Sequence, residues 1–290
     1  MMICTLKISL PVKSGDDMKR LLLSLLFLVC LLTSLQTELL QRSQVWILQT
    51  DTNESEAFRR QALNPDTMEA LRKESQGDME RFAELLTNAM LRSRFSEEKM
   101  DGSLVFPEEE LYRKYKDAAY QSLLESYQAI WADLVYFPVA AADTSFADTW
   151  GEPRTYGGDR LHEGTDIFGA QDVSGYYPIV SMTEGVVEQV GWLPLGGYRI
   201  GIRSPHGGYF YYCHLSSYDR EFQRGDLVAA GEILGFMGNT GYGEEGTRGK
   251  FPVHLHLGIY ITTSSNPELS VNPYWILRTM EEQRIVFAEG

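Results

Sequence analysis

The chain of 290 residues carries 40 acidic against 26 basic side chains, a formal net charge of −14 at pH 7. Nucleic-acid affinity depends on clustered Lys and Arg, so this balance excludes a phosphate-binding surface and no nucleic-acid partner is expected. A composition of 43% hydrophobic and 23% charged residues is that of a globular chain and excludes wholesale disorder.

In chain order, the first feature is an apolar run from Leu21 to Leu35, preceded by Lys19-Arg20. It reads as an export signal or membrane anchor, shorter than the ~20 residues that span a bilayer comfortably. Met18 stands just before the basic pair, so residues 1–17 read as an upstream extension of a start site there. Cys4 and Cys30 fall within or before this segment, which leaves Cys213 alone in a processed product and excludes an intrachain disulfide.

From Asp51 to about Leu134 the chain is charged, poor in glycine and apolar at helical spacing. Asn64-Pro65-Asp66 is a helix start, and Leu71, Met79, Phe82, Leu86 and Met90 follow it along one helix. Pro107 with Glu108, Glu109 and Glu110 repeats that signal, and Leu123, Tyr127, Ile130 and Leu134 form the stripe of a second helix. This region is expected to be a packed helical hairpin or spacer without chemistry.

After Tyr136-Phe137-Pro138 glycine becomes frequent and short alternating segments begin. Strands are predicted over Gly185–Val190, Tyr198–Arg203, Gly208–Leu215, Glu232–Met237 and Val253–Ile261, with a last short helix from Asn272-Pro273. The whole is an α+β chain: an export or anchor region at 1–40, a helical spacer at 41–135, and a mainly antiparallel β domain at 136–290.

All five histidines lie in the β domain. In Val253–Ile261 the apolar residues alternate with His254, His256, Gly258 and Tyr260, which puts both imidazoles on one strand face. His162 and Asp166 lie four positions apart around Gly164, where a glycine would let the backbone turn so that both side chains converge. His162, Asp166 and one of the His254/His256 pair make three zinc ligands and leave the open position of a catalytic site. His214 would support proton transfer beside the metal. Cys213, opposite His214 by alternation, is expected to be buried and structural, and His206, in a Pro-Gly turn, a solvated turn residue.

Between about Trp150 and Tyr260 the chain resembles the lysostaphin-type, or LytM-like, zinc endopeptidases of peptidoglycan. The resemblance rests on Arg160-Leu161-His162-Glu163-Gly164-Thr165-Asp166, Tyr212-Cys213-His214-Leu215, Gly225-Asp226-Leu227-Val228 with Gly231, Gly238-Asn239-Thr240-Gly241 and His254-Leu255-His256. It implies an antiparallel sheet crossed by a groove, zinc held by His162, Asp166 and His256, and His214 and His254 supporting catalysis beside the reacting carbonyl. It also implies peptidoglycan peptides as substrate and an extracytoplasmic location, with membrane contact only through the N-terminal segment. A non-hydrolytic envelope protein using the same groove is the alternative. Cys213, Leu257 and a longer loop over Gly243–Val253 depart from the family pattern and bear on substrate choice.

Overall fold

The computed structural model describes residues 15–155 and 158–286. The chain forms two compact units, Met1–Trp46 and Ile47–Gly290. The first holds helix α1 (Gly15–Gln44), which has no buried residue. The helix continues beyond the apolar run at both ends to 30 residues and is long and apolar enough to cross a membrane.

The second unit begins with helices α2 (Glu56–Arg59), α3 (Pro65–Ser75), α4 (Met79–Ser93) and α5 (Glu109–Trp131). Asn64 starts α3 by accepting a hydrogen bond from the Thr67 amide at 2.8 Å, with Pro65 at the first helical position. The single helix expected through Met90 is two helices. Gln76 and Gly77 adopt φ of 52° and 88°, a left-handed stop, and Asp78 opens α4 by accepting from the Arg81 amide at 2.9 Å. The apolar period continues across the break because both helices present their buried faces to the same core.

Helices α4 and α5 form the hairpin. Phe82 stacks on Trp131 at 5.1 Å, Tyr120 donates to Asn88 Oδ1 at 3.1 Å, and the predicted stripe of Leu123, Tyr127, Ile130 and Leu134 is buried. Burying each such side chain stabilises the fold by about 1.5–3 kcal/mol.

The strands are β1 (Thr144–Phe146), β2 (Pro153–Arg154), β3 (Arg160–Leu161), β4 (Thr165–Gly169), β5 (Pro178–Val180), β6 (Gly185–Leu193), β7 (Gly197–Arg203), β8 (Tyr209–Leu215), β9 (Ser217–Tyr218), β10 (Leu227–Val228), β11 (Ile233–Phe236), β12 (Leu255–Ile261) and β13 (Leu269–Val271). The main sheet runs β1-β4-β12-β8-β7-β6-β10, with β13 also on β12. A second sheet is ordered β5-β11-β9, and β2 pairs with β3. Every strand pair among the described residues is antiparallel. A last helix, α6 (Tyr274–Met280), follows Asn272, whose side chain accepts from the Tyr274 amide at 2.9 Å.

One face of the main sheet is core: Ile167, Ile200, Ile202, Phe210, Tyr212, Leu255, Leu257 and Ile259 are fully buried. The opposite face presents Asp166, His256 and Cys213 in a row, because Asp166 pairs with His256 and His256 with Cys213.

The helices are fastened to this sheet. Arg59 donates to the carbonyl and hydroxyl of Ser270, each at 2.9 Å, and lies over the Trp150 ring at 5.1 Å. At Gly208, in the β7–β8 turn, a Cβ would come within 1.9 Å of the Ala129 carbonyl oxygen, so only glycine lets the turn meet α5.

Candidate metal centre and groove

Three elements bring the first candidate residues together: the segment after β3 supplies His162, β4 supplies Asp166 and β12 supplies His256. His162 Nε2, Asp166 Oδ1 and His256 Nδ1 are mutually 2.9–3.0 Å apart. Among the described residues these three form the cluster able to hold a metal ion.

The donor chemistry fits a cation. His162 Nδ1 lies 3.0 Å from both the Thr149 carbonyl and an Arg154 guanidinium nitrogen; with the proton on Nδ1 towards the carbonyl, Nε2 is the free lone pair. That lone pair faces a carboxylate oxygen, an acceptor, at 3.0 Å. Two acceptors at this separation repel unless a positive ion lies between them. Burial pushes the Asp166 carboxyl up, and the imidazoles of His162 and His256 push it down further, so it is held far below the usual carboxylate range and is ionised. Arg154 donates to the other oxygen, Oδ2, at 3.4 Å.

Gly164 has a role different from the turn that its place between ligands suggested. Its φ is not left-handed; what it provides is space, because a Cβ would lie 2.4 Å from the Leu257 carbonyl and 2.6 Å from the His256 ring. Gly164→Ala is therefore expected to destabilise the fold by about 1–3 kcal/mol, as overpacking does, and to weaken metal retention. Thermal melting and metal content of the purified variant check both effects.

His214 and His254 stand beside the cluster, their rings 4.9 Å apart. His254 Nδ1 donates to the Pro252 carbonyl at 2.9 Å, and Nε2 lies 3.7 Å from Asp166 Oδ1. His214 Nδ1 donates to the Thr240 carbonyl at 2.8 Å. Thr240 is in turn fixed, its hydroxyl donating to the Leu215 carbonyl at 2.8 Å and accepting from the Tyr198 amide at 3.1 Å. Burial holds the pKa of both histidines below the ordinary imidazole value, His214 well below. Both are thus neutral near pH 7, with Nε2 unprotonated and able to take a proton.

Alternation misplaced one side chain. Cys213 is buried, as expected, and its thiol is pushed up by burial, but it does not lie opposite His214. Both line the groove. Between the pairs Tyr198↔Leu215 and Ile200↔Tyr212, β8 has one residue more than β7, a bulge at which His214 takes a φ of 63°. The bulge turns His214 onto the face already occupied by Cys213. His206 lies apart, at the turn foreseen for it, with its amide and Nδ1 both 2.8 Å from the Asp133 carboxylate.

The groove has a volume of about 560 Å³. Beyond the expected residues it is walled by Arg154, Arg160, Phe168, Tyr211, Tyr242 and Phe251, which sequence reasoning gave no role. Tyr242 stacks on His214 at 6.1 Å and meets Phe251 edge-on at 5.1 Å. Phe251 lies in, and Tyr242 immediately before, the long loop over Gly243–Val253 whose sequence departs from the family, and that departure was the available signal. A second cavity of about 370 Å³, walled by Arg59, Trp150 and Trp275, borders the same Leu161–Glu163 segment.

Residues 160–268 match the model of Peptidase family M23. An L-Ala--D-Glu endopeptidase of Bacillus subtilis is 44% identical over 139 residues, 48% of this chain and 41% of that protein. Lysostaphin of Staphylococcus simulans is 32% identical over 108 residues, 37% of this chain and 19% of that protein. The chain thus spans less than half the length of these curated relatives. A solved lytM protein of Ruminococcus gnavus, assigned as a glycyl-glycine endopeptidase, is 39% identical with a TM-score of 0.72. That match covers 85% of this chain and 99% of the other, so it takes in helical residues before the β domain as well.

Proposed function

Because this chain belongs to peptidase family M23, we propose that it is a zinc-dependent endopeptidase that hydrolyses amide bonds in the peptide part of peptidoglycan. The observation that carries this reading is the contact of two imidazole nitrogens and one carboxylate oxygen within 3.0 Å of one another. His162, Asp166 and His256 would hold the ion. When bound, zinc supplies Lewis acidity and brings the pKa of a water towards ~7.

The chain's own residues do the rest. His214 and His254, kept neutral by burial and fixed through their Nδ1 protons, offer Nε2 to take a proton from the attacking water and return it to the leaving amine. Phe168, Tyr242 and Phe251 wall the groove and exclude water around the peptide. The bond names of two relatives give the candidate bonds: L-Ala–D-Glu in a stem peptide and glycyl-glycine in a bridge.

The proposed place of work is outside the cytoplasmic membrane, with α1 as leader or anchor. The test uses purified protein on defined peptidoglycan, with the released fragments weighed by mass spectrometry. New peptide termini are expected, with a fall in rate of at least about a hundredfold on chelation that zinc restores. Turnover that survives chelation defeats the reading.

A further inference from the structure

The groove is charged against the trend of the molecule. In a chain with 40 acids and 26 bases, Arg154, Arg160 and Lys250 all line it, whereas its acids are Asp166, already in the ligand cluster, and the exposed Glu163. Among the described residues Arg154 is paired with Glu152 and Asp166, while Arg160 and Lys250 make no ion pair.

Arg160 has a defined pose. One guanidinium nitrogen donates to Tyr242 Oη at 2.6 Å, and the cation lies 5.8 Å from the Tyr242 ring centre. The other terminal nitrogen is shielded from solvent and has no hydrogen-bond partner. That nitrogen is closed to solvent, so a substrate meets the guanidinium where Arg160 lines the groove, and a carboxylate is the acceptor that matches its planar, charged donor edge. Tyr242 in turn stacks on His214, so the cation stands one aromatic layer from a residue placed beside the ligand cluster.

The acid Glu163 lies towards the other end of β12, near Tyr260, while Phe251 and its neighbour Lys250 flank His254. The groove therefore has a cationic end and an acidic end.

From this arrangement we infer that Arg160, set by Tyr242 and assisted by Lys250, binds a substrate carboxylate beside the scissile amide. The substrate is then an acidic stem peptide and not a bridge made only of glycine. This inference rests on the proposed peptidase reading and names the substrate class of that same groove. A glycine bridge has no side-chain charge with which to satisfy the guanidinium, and a site built for a polar group discriminates strongly against a ligand lacking it.

Three synthetic peptides test it: an L-Ala–D-Glu stem peptide with a free α-carboxylate on the glutamate, the same peptide with that carboxylate amidated, and pentaglycine. The wild-type protein is expected to favour the free acid over the amide at least about tenfold in kcat/KM, and to cut pentaglycine least. Arg160→Met should bring the first two substrates within about twofold of each other, through KM more than kcat, and Arg160→Lys should restore part of the preference. A structural role for Arg160 alone would lower both rates equally. That result, or equal use of both stem peptides by the wild type, overturns the inference while leaving the peptidase reading intact. If none of the peptides is cut, calorimetric binding of the same three decides: a free-acid preference that Arg160→Met abolishes sustains the carboxylate site, and equal affinities refute it.

Discussion

Asp166→Ala is expected to abolish metal binding and lower kcat/KM by at least about a thousandfold, because the proposed mechanism depends on zinc activation of water. Asp166 Oδ1 is the shared vertex of the cluster, in contact with His162 Nε2 at 3.0 Å and with His256 Nδ1 at 2.9 Å. Deleting it takes away the only carboxylate in the triangle and leaves two imidazole nitrogens 2.9 Å apart. His162→Ala and His256→Ala should behave alike, since each leaves two donors where three are needed. Zinc content by elemental analysis, measured beside the rate, is the check. An Asp166→Ala protein that keeps one zinc per chain and near-normal turnover would contradict the assignment.

His214→Ala and His254→Ala should separate the two roles. Neither side chain belongs to the three-atom cluster, so zinc should be retained. Turnover should nevertheless fall by about 10²–10⁴-fold, the usual contribution of a positioned general acid or base. The pH profile adds a sign. Burial lowers the His214 pKa well below the ordinary imidazole value, so the neutral form persists to lower pH and the acid limb of kcat should lie below about pH 6.5. Loss of zinc in step with loss of rate in either variant would make that histidine a ligand instead.

Much of the candidate site's geometry was legible because strand geometry is periodic. The alternation through His254 and His256 put both imidazoles on one face, and both line the groove. The α+β order was readable too, from the change in glycine frequency after Pro138 and from the two proline-led helix starts. What failed to show in the sequence was what depends on partners. The bulge in β8 exists only relative to β7, so no pattern within Tyr211–Leu215 could reveal that Cys213 and His214 share a face. The purpose of Gly164 lies in the approach of Leu257 and His256, 93 and 92 residues further on by number. Gln76 and Gly77 end a helix whose apolar spacing carries straight on, because position on a face does not report a change of axis. The aromatic and cationic walls come from a loop with no period of its own, which contributes Tyr242, Lys250 and Phe251.

The imidazoles of His162, His214 and His254 are each oriented by a main-chain carbonyl, from Thr149, Thr240 and Pro252. A peptide oxygen is present whatever residue supplies it. The candidate site is thereby anchored to the path of the backbone, while the side chains that project from the same loops remain free to be exchanged. One fold can in this way keep these imidazoles in place while the walls of the groove are changed around them.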